Sequence, residues 1–108
     1  LGTIQTPHAA PMALIGWFQD YPDPSDFIDP ILSCASAVAG GANVAWFCDP
    51  AIDERAAAAR AIPLMADAVD EYQAIQRDIM AQAPWVPLYV PVWSNLHSER
   101  LTGFTWPG

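Results

Sequence analysis

Lysine is absent from this sequence, and the only cationic side chains are Arg55, Arg60, Arg77 and Arg100, set against twelve carboxylates for a net charge of −8. Nucleic-acid binding works by displacing counterions with a basic face. Attraction to an anionic membrane surface likewise needs clustered lysine and arginine. Neither requirement is met, so nucleic acid is excluded and anionic lipid surfaces are disfavoured. Long hydrophobic runs are missing as well: nothing approaches the roughly 18 uninterrupted apolar residues of a membrane-spanning helix. No Gly-x-Ser-x-Gly, no Gly-rich loop leading into Gly-Lys-Ser/Thr and no His-Glu-x-x-His occurs, and Gly40-Gly41 reads as a turn rather than a phosphate cradle. His8 and His97 stand apart from each other and from the carboxylate-rich stretches, which marks them as surface or core residues rather than catalysts. Cysteine is limited to Cys34 and Cys48. They form no Cys-x-x-Cys redox pair, and neither histidine has the spacing to complete a zinc site with them. Two readings of the pair remain open. A disulfide closing a loop of about 15 residues is worth roughly 3 kcal/mol in the chain-entropy model and implies an oxidising compartment; the other reading is two buried thiols.

What is present in excess is apolar side chain. The hydrophobic fraction is 53%, with five tryptophans, in a chain that also carries 11 prolines. Few segments can bury those rings, so part of the apolar surface is expected to be covered by protein beyond these residues. The most informative stretch is Gly16-Trp17-Phe18-Gln19-Asp20-Tyr21-Pro22-Asp23-Pro24-Ser25-Asp26-Phe27. An apolar segment delivers Asp20 to a point where two prolines force turn or extended geometry. A lone charge at the end of a buried strand costs several kcal/mol, roughly, unless paired or hydrated, so the segment is read as holding one acid at the mouth of a site. Asp20, Asp23, Asp26 and Asp29 recur every third residue, but they do not follow the ligand order of a calcium loop. Capping and turn chemistry accounts for them better.

Local signals place the elements. Residues 12–19 read as a buried strand. A turn from Asp23 leads into a short helix ending near Leu32, with Asp26 as its cap. Asp49-Pro50 starts a helix, with an Asp N-cap, proline at the first helical position and Asp53 and Glu54 against the positive dipole end. That helix runs to about Ala61, and Pro63 separates it from a second over 64–82. Met65, Val69, Tyr72, Ile75 or Gln76, Ile79 and Ala83 form its apolar stripe. Residues 86–93 alternate like a strand, but their prolines cannot donate to a ladder, which suits an edge strand or a crossover segment. A further short strand is expected over 102–106. Among the aromatics, which in a short chain are mostly core, Trp17 lies three residues from Asp20 and is the one moved toward a ligand. Trp46 is better placed against the cysteines.

These residues carry a resemblance in order along the chain. After the Trp17-x-x-Asp20-Tyr21 block come Asp29-Pro30-Ile31-Leu32, Cys34, Asn43, Trp46-x-Cys48, Asp49-Pro50 and Ile52-Asp53. Then follow Arg77-Asp78-Ile79-Met80, Ala83-Pro84, Val86-Pro87-Leu88-Tyr89, Ser98-Glu99-Arg100-Leu101 and Gly103-Phe104. Together they resemble the C-terminal segment of the family 5 extracellular solute-binding proteins of peptide and nickel ABC importers. The resemblance implies an α/β, two-lobed periplasmic-binding-protein fold. Residues 1–85 would belong to the second large lobe and 86–108 would cross back to the first. It also implies a Cys34–Cys48 disulfide, a location outside the cytoplasm with a lipid anchor at an N-terminus beyond this sequence, and no cofactor, metal or turnover. The implied partners are a small peptide or similar solute, the permease subunits and the rest of its own chain. In peptide-binding relatives the acid at the Asp20 place pairs with the peptide's α-ammonium, with Trp17 and Tyr21 beside it. The competing readings are a secreted hydrolase fragment using Asp20 as an acid–base group, and a scaffold relative that no longer transports.

Overall fold

Asp49 caps a helix as its position before Pro50 predicts. Its Oδ1 accepts the backbone N–H groups of Ala51 at 3.0 Å and Ile52 at 3.4 Å. The computed structural model describes residues 2–7, 9–92, 94, 96–98 and 100–103. It contains three α-helices: α1, Ser25–Leu32; α2, Pro50–Arg60; and α3, Met65–Ala81. A single 3-10 turn, Cys34–Ser36, follows α1. The ends of α2 and α3 lie within a residue of the predicted bounds, because caps and prolines act locally.

The core lies where α3 packs on α2 and α2 on α1. Ile52, Ala56 and Ala59 line one face of α2, while Ala68, Tyr72, Ile75 and Ile79 line one face of α3. Both sets follow helical spacing. Ile28 joins them from α1, with Leu32, Phe47, Ile62 and Met80 at the margins. The α3 stripe differs from the expected one at both ends: Ala83 lies past the helix and is exposed, and the first turns are shifted. Met65 and Val69 are each 38% exposed, and Ala68 takes the buried position. Ala56 and Ala59 of α2 are buried in the same core, where small side chains permit dense packing.

Polar ties fix the helix register. Gln82 Nε2, just past α3, donates to Asp49 Oδ2 at 2.7 Å and joins the end of α3 to the start of α2. Arg55 of α2 pairs with Glu71 at 2.7 Å and Asp78 at 2.5 Å on α3. Arg60 in the last turn of α2 pairs with Asp29 of α1. These pairs are partly solvent-exposed, so they contribute more to alignment than to stability.

Cys34 and Cys48 form a disulfide at the base of the loop 35–47, which resolves the two readings of the cysteine pair. The loop has a second fastening that spacing alone does not reveal. Asn43 is 1% exposed and donates from Nδ2 to the Ser33 carbonyl at 2.9 Å and the Phe47 carbonyl at 2.7 Å. The Cys34 N–H donates to Asp53 Oδ2 at 3.0 Å, tying the loop base to α2. At the far end the chain turns through Gly40, whose φ of +79° suits glycine. A Cβ on Gly41 would collide with the Ser36 carbonyl oxygen. Gln5 clasps this turn from its side chain and its carbonyl.

The expected strands do not form within this chain. Residues 12–19 and 86–92 are irregular, and no strand or bridge occurs among the described residues. A strand exists only beside another strand that takes its N–H and C=O groups, and no such ladder includes either segment among the described residues. Most of their side chains are exposed: Met12 is 88% exposed, Leu14 78%, and Val90 and Val92 each 90%, while Ile15 and Trp17 are half-buried. The α/β expectation is therefore not met by these residues alone, which are helical. His8, Trp93 and most of the strand expected over 102–106 lie outside the described residues.

Three outcomes follow from this packing and from the fastened loop. Ile75 has no exposed surface, so Ile75→Ala should cost about 2–5 kcal/mol, measured by denaturant unfolding of the protein. Thiol labelling of unreduced, denatured protein should find neither Cys34 nor Cys48 reactive. After reduction, proteolysis within 35–47 should be slow in the parent and markedly faster in Asn43→Ala, which removes the second fastening. Equal rates would show that Asn43 does not secure the loop.

Candidate functional site

The stretch expected to hold a ligand, residues 17–21, ends in a turn built by the aspartates that follow it. Asp23 Oδ1 accepts the Ser25 N–H at 2.8 Å, so Asp23, and not Asp26, satisfies the start of α1. Asp26 is already the second residue of α1. Helical side chains point back toward the N-terminus, which directs Asp26 at the preceding turn. There its Oδ2 accepts the backbone N–H of Asp20 at 2.7 Å. The Tyr21 hydroxyl lies 3.3 Å from Ser25 Oγ. Tyr72, buried on α3, reaches across 49 residues of sequence to donate to Asp23 Oδ1 at 3.4 Å. The turn is thereby fastened to both α1 and α3.

The four aspartates consequently differ in state. Asp23 takes Ser25 and Tyr72, Asp26 takes the Asp20 backbone, and Asp29 pairs with Arg60. The carboxylate of Asp20 is exposed and has no hydrogen-bond or ion-pair partner among the described residues. Hydrogen bonds from Ser25, first its side chain and then its backbone, hold the Asp23 carboxyl below the usual range against the opposing effect of burial. Tyr72 and Arg60 pull in the same direction as Ser25. Burial, and then the Asp23 charge beside it, push the Tyr72 phenol above its ordinary value.

Trp17 is half-buried, and its indole N–H is a buried donor with no acceptor among the described residues. Tyr21 is 46% exposed. An open surface depression of about 420 Å³ lies beside the turn, lined by Gln19, Pro22, Asp23, Pro24 and Phe27. Asp20, Trp17 and Tyr21 do not line it, so these residues alone enclose no ligand. What the arrangement offers is one unspent carboxylate held on an anchored turn. Sequence reasoning missed the Asp26–Asp20 and Tyr72–Asp23 contacts; a buried Tyr at a core register position facing an aspartate-rich turn is the signal that pointed toward the second.

No family model matches the chain. It is 33% identical over 93 residues to di/tripeptide-binding protein 4 of Pseudomonas aeruginosa, an alignment covering 86% of this chain and 17% of that protein. It is 34% identical over the same length to the probable di/tripeptide-binding protein 5 of that bacterium, with 86% and 18% covered. A third relative, 34% identical over 77 residues, is the probable ABC transporter periplasmic-binding protein SapA of Escherichia coli, with 71% and 14% covered. The chain therefore spans under a fifth of the length of these relatives.

The state of Asp23 sets an acid dependence. A carboxyl whose folded pKa lies below its unfolded one, about 3.9, contributes stability that is complete above the unfolded value and is lost as pH falls through the folded one. Asp23→Ala should therefore lower the melting temperature at pH 7, and the gap to the parent should close as the pH drops below about 3.9. A gap that stays constant across that range would show that the Asp23 charge is not what matters.

Proposed function

We propose, of a chain that belongs to the family 5 solute-binding proteins of ABC importers, that it is the C-terminal part of a protein that captures small peptides outside the cytoplasm and delivers them to a permease. Residues 1–85 would form part of the second lobe, and 86–108 would cross back toward the first. The largely exposed side chains of 12–19 and 86–92 support this placement, since both segments offer backbone and apolar surface for pairing with the rest of the protein. The solute would lie between the lobes and be enclosed by hinge closure. No chemistry on the solute is implied.

One observation carries the reading: of four regularly spaced aspartates, Asp20 alone keeps a carboxylate with no partner among the described residues. The α-ammonium of a peptide, with a pKa of about 7.7–8.0, is mostly protonated at neutral pH, where an aspartate is ionised. Enclosed together, the two gain from charge-assisted hydrogen bonding and a lower dielectric. Trp17 and Tyr21 flank the acid in sequence and would line the site with it.

Calorimetry on the full-length protein tests this. Asp20→Asn should cost about 2–5 kcal/mol of affinity for a free peptide, because the ammonium would be buried unpaired, while the melting temperature of the unliganded protein stays nearly unchanged. N-acetylated peptide should bind the parent poorly. Normal binding by the variant, or indifference to acetylation, would mean that Asp20 does not hold an ammonium.

A further inference from the structure

Asp26 sits in the first turn of α1, where the helix dipole favours a carboxylate, but that effect does not require the side chain to be buried. The residue is 2% exposed, and no arginine pairs with it among the described residues. Keeping an acid there costs solvation. It is also not needed to start α1, because Asp23 already satisfies the Ser25 N–H. What it holds is the backbone N–H of Asp20, at 2.7 Å, within the range of a well-formed hydrogen bond. We infer that Asp26 is the positioning residue for Asp20, fixing the backbone from which the ligand-facing carboxylate projects; this rests on the reading of Asp20 given above.

The surrounding frame supports the assignment. Residues 12–19 belong to no strand, so no ladder holds Asp20 from its N-terminal side. On the other side the chain passes at once through Pro22 and Pro24. The fixed body nearby is α1, anchored by Ile28 in the core and by the Asp29–Arg60 pair. Asp26 connects that body to Asp20 through one bond across six residues. Asp23, Ser25 and Tyr72 brace the turn between them. A carboxylate that must meet an ammonium within a few tenths of an ångström depends on such support, since small displacements forfeit much of the interaction.

The test separates where the acceptor sits from its charge, in the full-length protein. Asp26→Asn keeps an oxygen at the same reach and loses the charge. Asp26→Glu keeps the charge and moves the oxygen by one methylene, and Asp26→Ala removes the acceptor altogether as a second displacement. Two readouts are taken: hydrogen–deuterium exchange of the unliganded segment 17–23, and calorimetric affinity for tri-alanine and for N-acetyl-tri-alanine. The expected result is one slow amide at Asp20 in the parent and Asp26→Asn that becomes fast in Asp26→Glu and Asp26→Ala. With it, the preference for free over acetylated tri-alanine should hold within about threefold in Asp26→Asn and fall by about tenfold or more in the other two, the size of one lost hydrogen bond. A merely structural role would lower the melting temperature or the binding-competent fraction and leave that preference intact. The inference is overturned if Asp26→Asn is as damaging as Asp26→Glu, or if the preference survives in Asp26→Glu and Asp26→Ala while Asp20→Asn abolishes it. If Asp20→Asn itself leaves the preference unchanged, the reading of Asp20 fails, and the inference falls with it whatever the exchange data show.

Discussion

Alanines at 56, 59 and 68 are buried in the core where α3 packs on α2, and the rest of the structure is arranged around that core. Small side chains on facing helices permit close packing at the density of protein interiors. In that core Ile75 and Ile79 are sealed from water and Tyr72 is buried with its hydroxyl directed at the margin. That hydroxyl meets Asp23, and through Asp23 the aspartate-rich turn acquires a fixed place. The polar ties at the helix ends, Gln82 to Asp49 and Arg55 to Glu71 and Asp78, maintain the register on which the Tyr72 contact depends.

The turn illustrates how one acid is kept available by using its neighbours. An unpaired carboxylate in a cluster of carboxylates is disfavoured by mutual repulsion and desolvation. Here the cost is limited because Asp23, Asp26 and Asp29 each bind a donor from a different place: the helix start and α3, the Asp20 backbone, and α2. Asp20 is left exposed with its main chain held. A residue that binds a cationic group needs both properties, since exposure without support would leave the carboxylate to find its geometry anew in each encounter.

The disulfide loop is secured by different means. Covalent closure between Cys34 and Cys48 limits the unfolded chain, while Asn43 bonds to backbone carbonyls at both ends of the loop in the folded state. The Cys34 N–H then joins the loop base to Asp53 on α2. The loop and the aspartate turn thus share one support, the α1–α2 body, although they are separate in sequence. Against this ordered centre stand the apolar segments 12–19 and 86–92, whose exposed Met12, Leu14, Val90 and Val92 are what a surface made to be covered looks like.

The sequence by itself determined the features set by neighbours a few residues apart. Asp49 before Pro50 started α2, Pro63 divided α2 from α3, and the spacing of Tyr72, Ile75 and Ile79 marked the buried face. Each depends on capping, proline geometry or helical period, which act within a turn or two. The resemblance along the chain marked out Asp20 and the cysteine pair. Where partners are distant, sequence was silent or misled. Residues 12–19 have the apolar pattern of a buried strand, yet pairing depends on a neighbour that these residues do not provide. Asp26 has the composition of a cap, yet helix geometry turned it back onto Asp20 and left capping to Asp23. Only the tertiary structure decided which of four similar aspartates kept a carboxylate without a partner. That outcome rests on Tyr72 and Arg60 arriving from helices far along the chain, and such arrivals are set by packing, not by local spacing.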